Sequence, residues 1–473
     1  MKPLERDLAR LLGEESMRHG PEQVRYQHDS TEMQGLSGRP DAVVAPADVE
    51  AVQAMVAWCY RRGVAIVPRG GGSGFAGGAV PVNGGVVCSL ERLTAVRSFD
   101  PDLWRIEVEA GLTTARLQTL ALKSGVMFPP NPGAVEQSQI GGNLACNAGG
   151  PRSFKYGVTG DFVLGLDAVV RDGELIRLGG PVRKDVAGYD LCHLMVGSEG
   201  TLGIIVSAWL RLIPAPEEVR IVVAGYRGID EGVEALLRVP GSGLVPTSLE
   251  FFDPACMRAC RMAFPGGLPD EAQFLIVSEC DGDAESVERL TQDVAAVLEP
   301  SSTLVRTIRG RPLLTEMERW RNGIAFAVRN QRGGKMSEDV AVPLDELRST
   351  ILATLEIGRR HGLAACSWGH AGDGNVHATF MIDPQAPAEV DRASEAAADL
   401  FAGVLAARGS VSGEHGLGWV KAAQFGEQFG AVEAGLQRGI KTTFDPRNVF
   451  NPGKKVSLGA HPFPAADAGG VPA

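Results

Sequence analysis

"VPRGGGSGFAGGAVP", residues 67–81, is the stretch on which the fold turns. Within it "GSGFAG" (72–77) satisfies G-x-G-x-x-G, and Glu91 follows at about the 20-residue spacing of the ribose-binding acid in nicotinamide-binding folds. That fingerprint works only where a helix opens at the glycines and turns its N-terminus to the pyrophosphate. Here the glycines run into "AVPVNGGVVCSL" (79–90), where Pro81 and a β-branched run argue for a strand instead. The upstream "VAIVP" (64–68) reads as a short buried strand. A glycine-rich loop bounded by strands can still cradle phosphate through its bare N–H groups, as a backbone nest. The competing reading is a glycine-rich surface hairpin.

Two more bunches follow, "IGGNLACNAGG" (140–150) and "GSEGTLG" (197–203), in a chain with 60 glycines. Bunched glycine inside a folded domain marks backbone passing close to something. The 473 residues are too many for one core, and 44% hydrophobic with 22% charged residues is a globular composition. A net charge of −11 argues against nucleic acid, which requires a basic face. No apolar run reaches the roughly 18 residues of a membrane span. The N-terminus, "MKPLERDLARLLGEESM", lacks the apolar core of a signal peptide, so the expected location is cytoplasmic. The eight cysteines form no C-x-x-C pair and sit in apolar stretches. They read as buried free thiols, and an iron–sulfur cluster of the usual ferredoxin spacing is excluded.

Residues 48–62 carry Val52, Val56 and Cys59 at helical spacing, stopped by Gly63. Further strands are expected at 84–90 and 103–111, a helix at 114–125, a hairpin around Asp172-Gly173, and one long strand over 201–214. From Val219 strands and helices alternate, as in a ferredoxin-like α+β layer. Long helical stretches are expected over 387–407 and 419–443. The chain divides into an N-terminal helical segment (1–38), a domain at 39–215, a second α+β domain at 216–410, a C-terminal helical segment (411–456) and a disordered tail (457–473).

Eight histidines are present. His19, His28, His361 and His461 lie in polar or terminal contexts and read as surface residues. His193 lies in "DLCHLMVG" and reads as a hydrogen-bonded structural residue facing the core or the cofactor. His370 and His377 flank a Gly-Asp-Gly turn in "GHAGDGNVHATF" (369–380), and His415 lies in "SGEHGLG" (412–418) beside Glu414. A turn can bring two strand ends together so that both imidazoles point to one place. A catalytic zinc site takes three protein ligands, and Glu414 is of the right type for the third. By pattern alone a metal site and a polar hairpin stand equal; Asp373 and Asn375 read as turn-makers and supporting partners.

The three glycine segments, in order, are similar to a known family. "VPRGGGSGFAGGAVP" resembles the pyrophosphate loop of the FAD-binding domain of the vanillyl-alcohol-oxidase (p-cresol methylhydroxylase) superfamily. "PPNPGAVEQSQIGGNLACNAGGPRSFKYG" (129–157) and "GYDLCHLMVGSEGTLGII" (188–205) resemble its second and third flavin-contacting segments. Within it the likeness is to FAD-linked D-2-hydroxyacid dehydrogenases: the glycolate oxidase flavin subunit, D-lactate dehydrogenase and D-2-hydroxyglutarate dehydrogenase. The resemblance implies an α+β fold: an FAD-binding domain of the p-cresol methylhydroxylase type, a ferredoxin-like α+β substrate and metal-binding cap, and a C-terminal helical segment returning to the flavin.

It further implies flavin contacts from Pro68, Arg69, Gly70, Gly71, Gly72, Ser73 and Gly74; from Pro130, Gly133, Gly142, Asn143, Asn147, Gly150, Tyr156 and Gly157; and from Glu199, Gly200, Ile204, Ile205 and Asn451. No His or Cys stands in the pyrophosphate loop, where relatives attach flavin covalently, so noncovalent FAD is expected. The resemblance makes His370, His377 and Glu414 ligands of a divalent metal, Zn²⁺ or Mn²⁺, and His415 the general base. "RWRNGIAFAVRNQRGGKMSEDVAVP" (319–343) resembles the segment that supplies substrate-binding cations, which fall on Arg321 and Lys335; a solvated basic patch is the competing reading for Lys335. The implied activity is oxidation of a small 2-hydroxyacid, D-lactate or glycolate, to the 2-oxoacid. Where D-2-hydroxyglutarate dehydrogenase has an asparagine, two positions after the second histidine, this chain has Thr379. Reoxidation calls for an external acceptor: a partner iron–sulfur subunit, an electron-transfer flavoprotein, a cytochrome or a quinone, with any peripheral membrane association made through a partner. The alternative is a non-catalytic or differently specific flavoprotein subunit of an alcohol or sugar oxidase complex.

Overall fold

The structure, a computed structural model, describes residues 2–31, 35–456 and 458, so the tail expected to be disordered lies almost wholly outside the described residues. The first sheet has four strands: β1 (Met17–Arg18), β2 (Ala42–Val44), β3 (Ile66–Arg69) and β4 (Val86–Ser89), in the order β1-β2-β4-β3. The N-terminal segment is therefore not helical throughout, since Met17 pairs with Val44. Against this sheet packs the helix Val49–Arg62, which buries Val52, Val56 and Cys59 as its spacing predicts. Asp48 caps it by accepting from the Ala51 N–H (2.8 Å), and Gly63 ends it in the left-handed region.

Seven strands follow: β5 (Val96–Asp100), β6 (Arg105–Glu109), β7 (Val126–Met127), β8 (Val163–Val169), β9 (Leu175–Gly179), β10 (Ile204–Arg211) and β11 (Ile213–Pro214). A five-stranded sheet runs β5-β6-β10-β8-β9, and β7 pairs with β11. The hairpin at Asp172-Gly173 forms as expected, with positive φ at both residues. The single strand expected over 201–214 is two pieces, because the chain leaves one sheet at Leu212 to pair with β7.

The second domain is built on seven antiparallel strands: β12 (Glu218–Tyr226), β13 (Ser248–Phe252), β14 (Phe274–Gly282), β15 (Leu304–Ile308), β16 (Gly334–Ala341), β17 (Ala364–His370) and β18 (Asn375–Ile382). Their order is β15-β12-β14-β13-β17-β18-β16. One face carries Val222, Leu249, Phe251, Ile276, Val340 and Phe380 into a core closed by the helices Ile229–Gly241, Ala284–Leu298, Leu347–Arg360 and Pro387–Ala406. The other face is mixed. Residues paired across antiparallel strands share a face, and the register pairs Glu250 with His370, Trp368 with His377, and His377 with Asp339. A polar row thus crosses four strands of one face.

The helix expected over 419–443 is shorter: only Phe425–Gln428 and Ala431–Phe444 are α-helical. Residues 411–424 are instead bonded into the site described below. The chain then returns to the first domain, where Phe450 pairs with Ile66. No helix among the described residues is long and apolar enough to cross a membrane.

A buried ion pair secures that return. Lys441 Nζ lies 2.5 Å from Asp445 Oδ2 and donates to the carbonyls of Thr201 (2.8 Å) and Phe450 (2.9 Å). Asp445 accepts from the N–H groups of Val449 and Phe450. Removing one partner of a buried pair strands the other, so Lys441→Met is expected to lower unfolding free energy by about 3–5 kcal/mol. Chemical denaturation measures this; a loss under about 1 kcal/mol would remove the clasp from the list of structural determinants.

Candidate functional site

The strand-bounded reading of the glycine loop holds: β3 ends at Arg69, β4 starts at Val86, and no helix lies between them. Glu91 accepts from Arg18, Arg25 and Tyr26. No backbone carbonyl among the described residues accepts from the N–H groups of Gly70 to Ala76. That run of open donors fits a pyrophosphate. The loop's approach to the second segment needs glycine: a Cβ on Gly71 would stand 1.9 Å from the Gln137 carbonyl oxygen.

Apart from Ser73, the polar side chains named as flavin contacts are engaged with the protein itself. Arg69 is buried and donates to the carbonyls of Arg25, His28 and Ala79, fixing the root of the loop. Asn143 donates to Thr114 Oγ1 (2.6 Å), and Asn147, left-handed at φ 52°, accepts from the Gly160 N–H. Tyr156 donates to Asp281 Oδ1 across to the second domain (2.8 Å). Glu199 accepts from the N–H groups of Leu417 and Gly418 and pairs with Lys455 (3.0 Å). Asn451 donates to the carbonyls of Gly78 and Glu199, tying the first loop to the third segment. Ile204 and Ile205 are buried in two different cores, and Gly200 packs on the Pro68 ring. Pro130 is buried, and no atom lies within 4 Å of a Cβ built on Gly133. These residues frame a cradle whose free donors are backbone. A cavity of about 610 Å³ opens beside it, lined by Asn147, Gly197, Glu199, Glu414 and Lys455 among others.

The hairpin reading of "GHAGDGNVHATF" is also correct, with β17 and β18 antiparallel around a short turn that ends at left-handed Gly374. His370, His377 and Glu414 each offer one ligand atom, and all three lie within 4.8 Å of one another. Glu414 Oε1 is 3.7 Å from His370 Nε2 and 3.6 Å from His377 Nε2. Two imidazoles and a carboxylate at this spacing suit a borderline divalent cation. Burial lowers the His377 pKa to about 3 against the pull of Glu414, which leaves a neutral ring with a lone pair. Burial would also neutralise His370, but Glu250 and Glu414 on its two sides raise it to about 10. Glu250 has Arg321, and Asp339 has Lys421 nearby. Among the described residues Glu414 pairs with imidazoles and with no Arg or Lys: burial pushes its pKa up, and His370, His377 and His415 bring it down to about 2.

The loop carrying Glu414 and His415 has no regular structure. Asp339 Oδ2 holds it, accepting from Ser412 Oγ (3.0 Å) and from the N–H groups of Glu414 (2.9 Å) and His415 (2.8 Å). Gly418, at φ 48°, passes so close that a Cβ would lie 2.1 Å from the Ala76 carbonyl. The His415 ring stacks on Phe75 of the glycine loop (4.8 Å between centroids) and on His377 (5.7 Å). Asn375 supports from behind, donating to Asp339 Oδ1 (2.5 Å).

Arg321 lies on the helix Arg311–Asn330 and donates through Nε to Glu250 (2.8 Å to Oε1). Lys335 rests over the Trp368 ring (5.2 Å); among the described residues no carboxylate pairs with it, and burial lowers its pKa to about 8. That is a poor match to a solvated basic patch. His193 does not face the core: it is exposed, with its nitrogens 2.7 Å from Asp190 and 3.2 Å from the Gly160 carbonyl. His361 is half-buried rather than on the surface and pairs with Asp399 (2.9 Å). Glu250, Asp339, Phe75 and Trp368 are site residues that motif reading passes over. For Glu250 a lone acid inside a strand-like run, and for Asp339 an acid pair with Glu338 in one, is the one available signal.

All eight cysteines are free, and seven are buried, as their apolar contexts predict. Residues 40–179 match the FAD binding domain family, and residues 215–455 match the family described as FAD linked oxidases, C-terminal domain. Glycolate oxidase subunit GlcD of Bacillus subtilis (strain 168) is 34% identical over 430 residues, covering 91% of this chain and 91% of its own length. D-lactate dehydrogenase of Anaerostipes hadrus is 30% identical over 439 residues, covering 91% and 92%. Among solved structures, p-cresol methylhydroxylase with substrate bound superposes with a TM-score of 0.78 at 18% identity, over 96% of this chain and 97% of that one, a likeness of fold. Two matched domain families, over residues 40–179 and 215–455, and a relative 34% identical over 91% of both chains identify the chain as a member of the FAD-linked oxidase family, an FAD-binding oxidoreductase.

Proposed function

We propose that this protein oxidises a small D-2-hydroxyacid, glycolate or D-lactate, to the 2-oxoacid, using noncovalent FAD and a divalent cation, Zn²⁺ or Mn²⁺, held by His370, His377 and Glu414. The observation that carries the reading is the convergence of those three side chains within 4.8 Å of one another, beside a histidine stacked on the glycine loop. The names of the relatives support the substrate class, and the absence of His and Cys from residues 67–81 supports noncovalent flavin.

FAD, when bound, supplies the two-electron acceptor for the substrate Cα–H. The cation supplies Lewis acidity toward the substrate hydroxyl. His415 is the base: it takes the hydroxyl proton, with its backbone fixed by Asp339 and its ring by Phe75 and His377. Arg321, anchored through Nε on Glu250, offers its terminal nitrogens to the substrate carboxylate. Lys335 projects from the same face of β16 as Asp339 and adds a second cation. Thr379, its hydroxyl 2.7 Å from Ser337 Oγ, lies on that face between them and favours small acids over 2-hydroxyglutarate. Small acids differ by contacts worth about 1–3 kcal/mol each, which sets the scale of selectivity. With no cysteines at ferredoxin spacing in the sequence, electrons leave to a separate acceptor: a partner iron–sulfur subunit, an electron-transfer flavoprotein, a cytochrome or a quinone.

His415→Asn is expected to lower kcat by roughly 10²–10⁴-fold with bound flavin retained; turnover of D-lactate or glycolate with a dye acceptor measures it, and wild-type rates would remove His415 as the base. Chelation is expected to abolish activity and added Zn²⁺ or Mn²⁺ to restore it, whereas full activity in metal-free protein would overturn the metal site. Gly71→Ala forces its Cβ into the Gln137 carbonyl and is expected to yield protein with reduced flavin absorbance per chain; wild-type flavin content would show that the loop yields without loss of binding.

A further inference from the structure

Resting on the proposed metal site, we infer that Glu250 is a positioning residue that joins the metal ligand His370 to the substrate-binding Arg321, so that Arg321 contributes to cation affinity without touching the cation. Glu250 stands on β13, in register with His370 on β17, and is 5% exposed. Its Oε1 lies 3.1 Å from His370 Nδ1 and 2.8 Å from Arg321 Nε, and its Oε2 lies 2.6 Å from the same Arg321 nitrogen. One carboxylate therefore holds a strand residue and a helix residue at once.

The consequence for His370 is its tautomer and its ring angle. A proton on Nδ1, donated to Glu250, leaves the Nε2 lone pair on the side of Glu414 and His377. A ring free to rotate about Cβ–Cγ would present either nitrogen. Arg321 fixes the carboxylate for this: its Nε reaches both Glu250 oxygens from the helix side and sets the angle at which Oε1 meets the His370 ring. Arg321 is itself fixed, since the adjacent Trp320 donates its indole N–H to the Cys260 carbonyl (3.0 Å) and stacks edge-on with Phe252 and Phe264. A merely structural ion pair would tie the helix Arg311–Asn330 to the sheet and leave cation binding alone.

The test is the dissociation constant for Mn²⁺, measured by electron paramagnetic resonance on flavin-loaded, metal-stripped protein. Supporting partners of a metal-bound histidine typically change affinity by about 10–100-fold, and Glu250→Gln is expected to weaken Mn²⁺ binding by that amount with flavin content unchanged. Arg321→Met is expected to weaken it in the same direction. If Glu250→Gln does not fold because Arg321 is left unpaired, the double variant Glu250→Gln/Arg321→Met removes both charges and carries the same expectation. Visible bands of the Co²⁺-loaded protein are expected to shift in each variant. Affinity within twofold of wild type in Glu250→Gln, or in the double variant, overturns the inference while the metal site stands. Wild-type protein that takes up no Mn²⁺, Zn²⁺ or Co²⁺ overturns both.

Discussion

The carboxylate of Asp339 is buried in β16, and three segments that meet nowhere else in the sequence depend on it. It accepts from Ser412, Glu414 and His415 on one oxygen and from Asn375 on the other. Burial pushes its pKa up, but His415, Lys421, His377 and the N–H donors hold it far below the usual carboxylate range, so it stays charged. A charged acceptor with four short donors fixes a loop that has no helix or strand of its own. Lys421 closes the arrangement, donating from Nζ to the carbonyls of Asp339 and Val411. The spacing between the two hairpin histidines and the Glu-His pair is thus set by one side chain that belongs to neither.

Charge balance explains why the centre suits a cation. Glu250 is paired with Arg321 and Glu199 with Lys455, while Lys421 pairs with Glu338 and lies near Asp339. Glu414, half-buried, pairs with no Arg or Lys among the described residues and faces imidazoles instead. An imidazolium that releases its proton to solvent on binding a divalent cation exchanges one positive charge for two, beside a carboxylate, and a hydrogen bond for a coordinate bond. The flavin side is arranged differently: there most polar side chains bond to the protein, and the N–H groups of Gly70 to Ala76 have no backbone acceptor among the described residues.

Much of this architecture is legible in the sequence. The glycine loop followed by Pro81, the helix from Asp48 to Gly63, and the turn between His370 and His377 all follow from local rules, because each is decided by neighbours in sequence. The misreadings share a cause. Residues 419–443 look helical by composition, yet the Trp419 and Val420 N–H groups go to the Ala76 carbonyl and Lys421 goes to Asp339, so the helix waits until Phe425. Residues 201–214 alternate like one strand, but Leu212 is where the chain changes sheets. Long-range partners won over local preference in both.

The amino-acid sequence by itself determined which residue types could do the chemistry: two histidines around a turn, a Glu-His pair, an arginine and a lysine in the segment 319–343, and glycines where backbone must come close. These depend on side-chain identity and on conformations that only glycine or a turn residue adopts, so they are written locally. Tertiary structure alone decided that Arg321 rests on Glu250, that Glu250 reaches His370, that Asp339 holds His415, and that His415 stacks on Phe75. Those contacts join strands, a helix and loops far apart in the chain, and their geometry exists only once strand register has brought Glu250, His370, His377 and Asp339 to one face.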